Sequence, residues 1–414
     1  MTGATGASPT LGVGMVGYAF MGAVHSQAWR TAGRFFDLPL SPAMVALCGR
    51  DAAAVSAAAD RLGWASAETS WKSLLTRDDV HLVDVCTPGD THAEIAIAAL
   101  EAGKHVLCEK PLANSVAEAE DMVEAAAAAR SRGVRSMVAF NYRRIPAVAL
   151  ARKLVVDGRI GTVRHVRAQY LQDWIVDPEF PLVWRLQKDR AGSGALGDIG
   201  AHVIDLAQHV TGSAITSVTG LTPTFVTERP LPAAGPTSGL QAVADAGQAD
   251  GTGASGPAVT GPVTVDDAAL FLTRFEGGAV GSFEATRFAT GRKNTIRLEV
   301  NGSEGSLVFD FEFMNELQFH DRNEDPETAG FRRIMVTEPT HPYVGAWWPP
   351  GHGLGYEHTF THEVVDLVTA IGRGEDPVPS FADGLQVQHV LAAVERSALD
   401  GTWQDVPTSD RSAS

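Results

Sequence analysis

Four short patterns in this 414-residue chain carry side chains able to do chemistry. Cys108-Glu109-Lys110-Pro111 places a carboxylate and an ammonium side by side after an apolar run. Desolvation beside a cationic ring would push the lysine pKa down, letting it donate to a developing alkoxide or exchange a proton with it. Asp198 and His202 stand four apart in ALGDIGAHVID, so a helix would carry both on one face. There the carboxylate would orient the imidazole and support its protonated form, as a general base requires. Asn141-Tyr142-Arg143-Arg144 offers aromatic and hydrogen-bonding side chains suited to a polyol, with Tyr142 and Arg143 as the expected contacts. Gly17-Tyr18-Ala19-Phe20-Met21-Gly22 follows the apolar run VGMV and opens a helical stretch. Gly17 would make the tight turn, Ala19 would sit where backbone approaches a pyrophosphate, and Gly22 would allow close helix–strand packing. The pyrophosphate would lie on the helix N-terminus, against Phe20 and Met21, where unpaired amides favour an anion. An overlapping match, Gly12 to Gly17, lies on the strand itself and cannot form the turn that follows it.

These patterns need a scaffold. Apolar runs at 13–16, 43–49, 81–88, 104–111 and 136–143 alternate with amphipathic, Ala-rich stretches at Val24–Ala32, Ala52–Arg61, Ala93–Ala102 and Val116–Arg130. Strands separated by helices imply parallel pairing through right-handed crossovers, hence a doubly wound α/β sheet over residues 1–145. The Lys110 motif falls at the C-terminal end of one such strand, where ligands bind in open sheets. After a helix at 147–157, strand-like alternation appears at 162–174, 267–275, 279–288, 295–302 and 305–311, with Gly-containing turns. This reads as a C-terminal α/β domain, 146–406, built on an open, mostly antiparallel sheet. Residues 229–263, rich in Gly, Ala and Pro, read as a mobile insert. Helices are expected at 357–373 and 383–400, and a frayed tail at 407–414. The second strand ends Leu47-Cys48-Gly49-Arg50-Asp51; Gly49 occupies the position usual for an acid that binds ribose hydroxyls, and Arg50 follows it. The cofactor is read as NAD or NADP, with a lean to NADP carried by Arg50.

Composition removes several classes of function. Lys and Arg number 33 against 49 Asp and Glu, a net charge of −16 that repels phosphate backbones and anionic membranes. Three cysteines, Cys48, Cys86 and Cys108, lie in or beside strand-like runs without C-x-x-C spacing, which reads as buried thiols in a reducing compartment. No apolar run approaches the roughly 20 residues that span a bilayer. MTGATGASPT lacks the basic and apolar regions of a secretory signal, so the expected location is cytoplasmic. His352, His358, His362 and Glu363 do not form H-E-x-x-H, and no metal is expected.

Taken together, GYAFMG with His25 following, CTPGDTH at 86–92, EKP at 109–111, NYRR and GDIGAHVID resemble the glucose–fructose oxidoreductase/inositol dehydrogenase (Gfo/Idh/MocA) family. The resemblance runs from about Val13 to Val406 and includes NGSEGSL and PSFADGL. It implies a Rossmann domain followed by an α/β domain whose open sheet mediates homo-oligomer contacts, as a dimer or tetramer. It implies catalytic roles for Lys110, Asp198 and His202. It implies cofactor contacts from the 17–22 turn, Thr87, Pro88, His92 and Glu109. Ala19 and Gly89-Asp90 depart from the family pattern. MVAFNYRRIPAVAL, YLQDW and GSGALGDIG are most similar to the levoglucosan dehydrogenase and pyranoside 3-dehydrogenase branch. That likeness implies NAD(P)-dependent oxidation of a secondary hydroxyl of a sugar, anhydrosugar or cyclitol, at C3 of a pyranose. Gln172, Asp173, Trp174, Trp184 and Arg185 then become pocket candidates, with aromatic faces for sugar C–H groups and polar groups for hydroxyls. Which of Lys110 and His202 acts as the base stays open. So do two other readings on the same fold: a non-catalytic NAD(P)-binding sensor, and a sugar–sugar oxidoreductase that retains its cofactor.

Overall fold

The computed structural model describes residues 8–232 and 259–408. The N-terminal half builds one parallel sheet from β1 (Thr10–Val16), β2 (Ser41–Cys48), β3 (Ser66–Glu68), β4 (Leu82–Val85), β5 (His105–Cys108) and β6 (Ser136–Val138), in the order β3-β2-β1-β4-β5-β6. The strand order reverses between β1 and β4, so β1, β4 and β5 end together at a crevice. Burial on both faces explains the near-continuous apolar runs of β1 and β4. The helices of this half are α1 (Phe20–Phe35), α2 (Ala52–Leu62), α3 (Trp71–Leu75), α4 (His92–Glu101) and α5 (Val116–Arg130). Neither β3 nor α3 was anticipated. β3 is three residues long and α3 five, too short to show a period.

Past α6 (Pro146–Val156), a second sheet of nine strands begins with β7 (Val163–Leu171). Its one parallel contact joins β7 to β12 (Val280–Thr286), and its other pairings are antiparallel. On the other side of β7 lies β13 (Thr295–Gly302). Beyond β12 the sheet continues through β11 (Ala268–Phe275) to β8 (Ile215–Leu221). Strand β11 alternates between a face covered by helices and an exposed one, where Leu270 and Leu272 meet solvent.

Two features differ from the sequence reading. Of the segment read as a mobile insert, residues 233–258 lie outside the described residues, but its two ends are ordered. Strands β9 (Glu228–Pro230) and β10 (Thr260–Pro262) pair as an antiparallel ribbon, anchored by fully buried Arg229, which donates to the carbonyls of Ile175 and Asp177. Small-residue composition masks such an anchor, because one buried arginine with backbone partners holds the ends. Second, the helix at Tyr356–Arg373, which follows the nine-stranded sheet in sequence, packs along α1 and contributes Phe360, Val364, Leu367 and Val368 to the N-terminal core. Of the expected tail, residues 409–414 lie outside the described residues. All three cysteines are buried and unpaired. Among the described residues, no helix is long and apolar enough to cross a membrane.

Candidate active site

The crevice at the ends of β1, β4 and β5 opens into a cavity of about 690 Å³ that reaches to the end of β7 and to Lys293 and Asn294, just before the later strand Thr295–Gly302. Its two sides are chemically distinct.

One side is the glycine turn. Gly17 has φ 103°, and a Cβ there would stand 2.6 Å from the Cys86 carbonyl oxygen. A Cβ on Gly22 would stand 2.2 Å from the Gly17 carbonyl oxygen, so α1 closes on β1 only with glycine at both places. Ala19 caps α1 with no side-chain hydrogen bond, leaving the first helical amides without side-chain acceptors. Ala19, Phe20 and Met21 line the cavity, while Gly17 and Gly22 shape the turn beneath. Thr87, Pro88, His92 and Glu109 also line it. His92 spans the carbonyls of Thr87 and Pro111 at 2.9 and 3.0 Å and so ties the two loops together. Arg50 is exposed at the start of α2 and is not part of the cavity wall. Unpaired helix amides over a glycine turn fit the pyrophosphate of a dinucleotide.

The other side carries the reactive groups. Lys110 Nζ donates to the Asp198 backbone carbonyl at 2.7 Å and lies 3.6 Å from the Asp198 carboxylate. Asp198 sits in a π-helical turn, Leu196–Gly200, that runs into α8 (Ala201–Thr211) beyond α7 (Lys188–Ala191). Burial pushes the Asp198 carboxyl up, but Lys110, Arg185 and Arg287 outweigh it and hold the carboxyl below its usual range. His202 lies 6% exposed against the ring of Tyr142, 4.6 Å between centroids, and its Nδ1 is buried without a hydrogen-bond partner.

The Asp198–His202 arrangement corrects the expectation. Among the described residues no hydrogen bond joins the two. The carboxylate instead stands 3.6 Å from both Lys110 Nζ and Arg287 Nη1. The wide π turn breaks the i, i+4 stacking that a regular helix would have imposed. His202 is also not held in its protonated form: burial, then the charge of Lys110, pushes it well below its ordinary value, so the imidazole is neutral. Arg143 is a second correction. It points away from the cavity into a buried ion pair with Asp205, at 2.5 and 2.8 Å, and is not positioned to touch a substrate.

Tyr142, Gln172, Asp173, Trp174, Trp184 and Arg185 all line the cavity. The Arg185 guanidinium lies 4.4 Å over the Trp184 ring. Asp173 accepts from Lys293 Nζ at 2.8 Å and from the Gly291 amide at 2.9 Å. Several contributors escaped the sequence reading. Arg287, fully buried, faces Asp198 and lies 5.4 Å from the Trp174 ring. Tyr170, Asn294, Phe311 and Tyr356 complete the wall. Beneath Lys110, His25 spans Asp84 at 2.9 Å and Glu109 at 3.0 Å, and Glu109 also accepts from the Lys110 amide. Burial disfavours charge on His25, but Asp84 and Cys86 outweigh it and raise its pKa well above the usual value. His25, Asp84 and Cys86 lie close enough to hold a metal ion, yet both His25 nitrogens already face carboxylates. The C-terminal histidines have structural partners: His358 accepts the Gly355 amide, His362 joins the Arg144 carbonyl to the Trp347 indole, and His352 meets the Pro349 carbonyl.

Residues 11–140 match a family model described as an oxidoreductase family with an NAD-binding Rossmann fold, and residues 148–308 match the GFO/IDH/MocA C-terminal domain. The chain is 44% identical over 399 residues to levoglucosan dehydrogenase of Pseudarthrobacter phenanthrenivorans, covering 96% of this chain and 98% of that one. It is similar to an oxidoreductase domain protein from Kribbella flavida, at 68% identity and TM-score 0.89, covering 96% of this chain and 100% of that one. A levoglucosan dehydrogenase solved with NADH and levoglucosan is similar at 42% identity and TM-score 0.87, covering 96% and 99% of the two chains.

Proposed function

Because the chain belongs to the Gfo/Idh/MocA oxidoreductase family, we propose that it oxidises a secondary hydroxyl of a sugar, anhydrosugar or cyclitol with NAD as hydride acceptor, and that the carbon oxidised is C3 of a pyranose ring. The observation that carries this reading is the convergence of Lys110, Asp198 and His202 in the cavity that the glycine turn also lines. The lean to NADP is withdrawn: the matching model is described as NAD-binding and the related structure holds NADH, while Arg50 lies outside the cavity wall. The 44%-identical relative is named for levoglucosan, which makes an anhydrohexose the first substrate to try.

When bound, NAD supplies the hydride acceptor. Two of the three Lys110 ammonium donors face Asp198, which leaves the third for the substrate oxygen and the negative charge that grows on it. His202, neutral through burial and the charge of Lys110, takes the hydroxyl proton at its imidazole. Asp198, ionised between Lys110 and Arg287, fixes the lysine and offsets the charge of both cations. Trp174, Trp184 and the Arg185 guanidinium form the face on which a sugar ring would rest. The test is a spectrophotometric screen of pyranosides, levoglucosan and inositols with NAD+ and NADP+, with NMR of the product to locate the new carbonyl. Reduction of NAD+ with at least one sugar is expected; no reduction with any of them overturns the reading.

We also propose that a second copy of the chain covers the exposed face of the nine-stranded sheet. Leu221, Leu270, Leu272 and Val280 are exposed there, and the groove bordered by the three leucines carries Arg167, Arg297, Glu284 and Glu299. An apolar patch framed by both charge signs can pair with itself across a twofold axis.

A further inference from the structure

On the reading that the cavity holds a sugar, we propose that Asn294 is a specificity-determining residue that offers the substrate a hydrogen-bond donor and denies it an acceptor. The polarity follows from a chain of hydrogen bonds along the cavity wall. An indole N–H can only donate, and that of Trp174 donates to Gln172 Oε1 at 2.9 Å. This fixes the Gln172 amide, so its Nε2 donates to Asn294 Oδ1 at 2.8 Å. The Tyr170 hydroxyl donates to the same Asn294 oxygen, also at 2.8 Å. Tyr170 has a single hydroxyl proton, so the 2.8 Å contact between the Tyr142 and Tyr170 hydroxyls must run from Tyr142 to Tyr170.

Both lone pairs of the Asn294 carbonyl are therefore occupied. Its Nδ2 carries two N–H groups: the Tyr142 hydroxyl oxygen takes one, the other has no acceptor among the described residues, and Asn294 lines the cavity. The far end of the chain, Tyr142, packs against His202, so this donor belongs to the same wall as the proton acceptor. A sugar oxygen meets an N–H here, whether it is a hydroxyl, a ring oxygen or a bridging ether. A protonated amine in the same place meets another donor and finds nothing to accept its proton. The wall thus selects uncharged polyols and ethers over amino sugars at one position of the ring.

Asn294→Asp tests this with little change in shape: the inner oxygen keeps its two donors, and the cavity-facing nitrogen becomes a charged acceptor. Wild type and variant are assayed with NAD+ on the best neutral sugar from the screen and on its monoamino-deoxy analogues, substituted one position at a time. For the neutral sugar, kcat/KM is expected to fall about tenfold through KM, with kcat nearly unchanged. For one amino analogue it is expected to rise, shifting the preference on the order of a hundredfold, since the variant turns repulsion into an ion pair. In Asn294→Ala the loss on the neutral sugar remains and no amine is gained; this variant decides the matter if the aspartate variant does not fold. A kcat/KM for the neutral sugar close to wild type in either variant, or an Asn294→Asp loss that is equal for every analogue, overturns the proposal. A wild type that oxidises no sugar overturns the functional reading instead, so the two failures are separable.

Discussion

Glu363 lies beneath the site on the helix Tyr356–Arg373, 1% exposed, with Oε1 buried and unpartnered among the described residues. Burial raises its pKa; Arg144 and His25 pull the other way, Glu109 and Asp84 push further up, and the result is about 8 against an ordinary 4.5. Between those values the folded chain holds a proton that the unfolded chain has released. Its contribution to stability is therefore complete below pH 4.5 and lost as pH rises through 8. From pH 6 to pH 9 the loss covers about two pH units of linked protonation, or ~2.7 kcal/mol at 1.36 kcal/mol per unit. Glu363→Gln keeps the shape and removes the titration. Titratable groups that do not interact with Glu363 behave alike in both proteins and cancel in the comparison. Guanidinium unfolding of wild type and variant at pH 6 and pH 9 gives four stabilities. The variant should gain ~2 to 3 kcal/mol on wild type across that interval. Parallel pH profiles, with a double difference under about 1 kcal/mol, would mean that Glu363 is ionised or solvated in the native protein and would refute the reasoning.

Two further outcomes follow from the site and the sheet. Neutral His202 is the competent proton acceptor, so kcat/KM should fall only as pH drops below 6.5; Lys110→Met, which removes the second cause of the lowered pKa, should cost about 10²–10⁴ in rate and move that acid limb to higher pH. A limb unmoved by the substitution, measured on the residual activity with excess enzyme, would separate Lys110 from His202 and sink the assignment. The exposed sheet face predicts an oligomer by light scattering, and Leu270→Asp with Leu272→Asp should lower the mass to that of one chain without lowering the melting temperature of the monomer; a monomeric wild type would dispose of the idea.

The parts of this molecule legible from residue order are those governed by local period and local turn chemistry. β1, α1 and the Gly17–Gly22 turn declare themselves because one apolar strand, one strained glycine and one close helix–strand approach occur within a few residues of each other. Lys110, Asp198 and His202 could be singled out as candidates in advance because each belongs to a pattern with its own chemical logic. What stayed hidden depends on which partner a polar group has already taken. Arg143 looks like a substrate contact until Asp205 claims it, and Asp198 looks like the orienter of His202 until the π turn delivers it to Lys110 and Arg287. Arg287 and Asn294 flank the turn between β12 and β13, a Gly-, Arg- and Lys-bearing segment that reads as solvated surface. Only the pairing of both strands with β7 carries that turn over the cavity. Residue type sets how many hydrogen bonds a group can make, but topology decides how many remain open. The chemistry a cavity presents to its ligand therefore lies in the unoccupied donors and acceptors, which no spacing of letters can display.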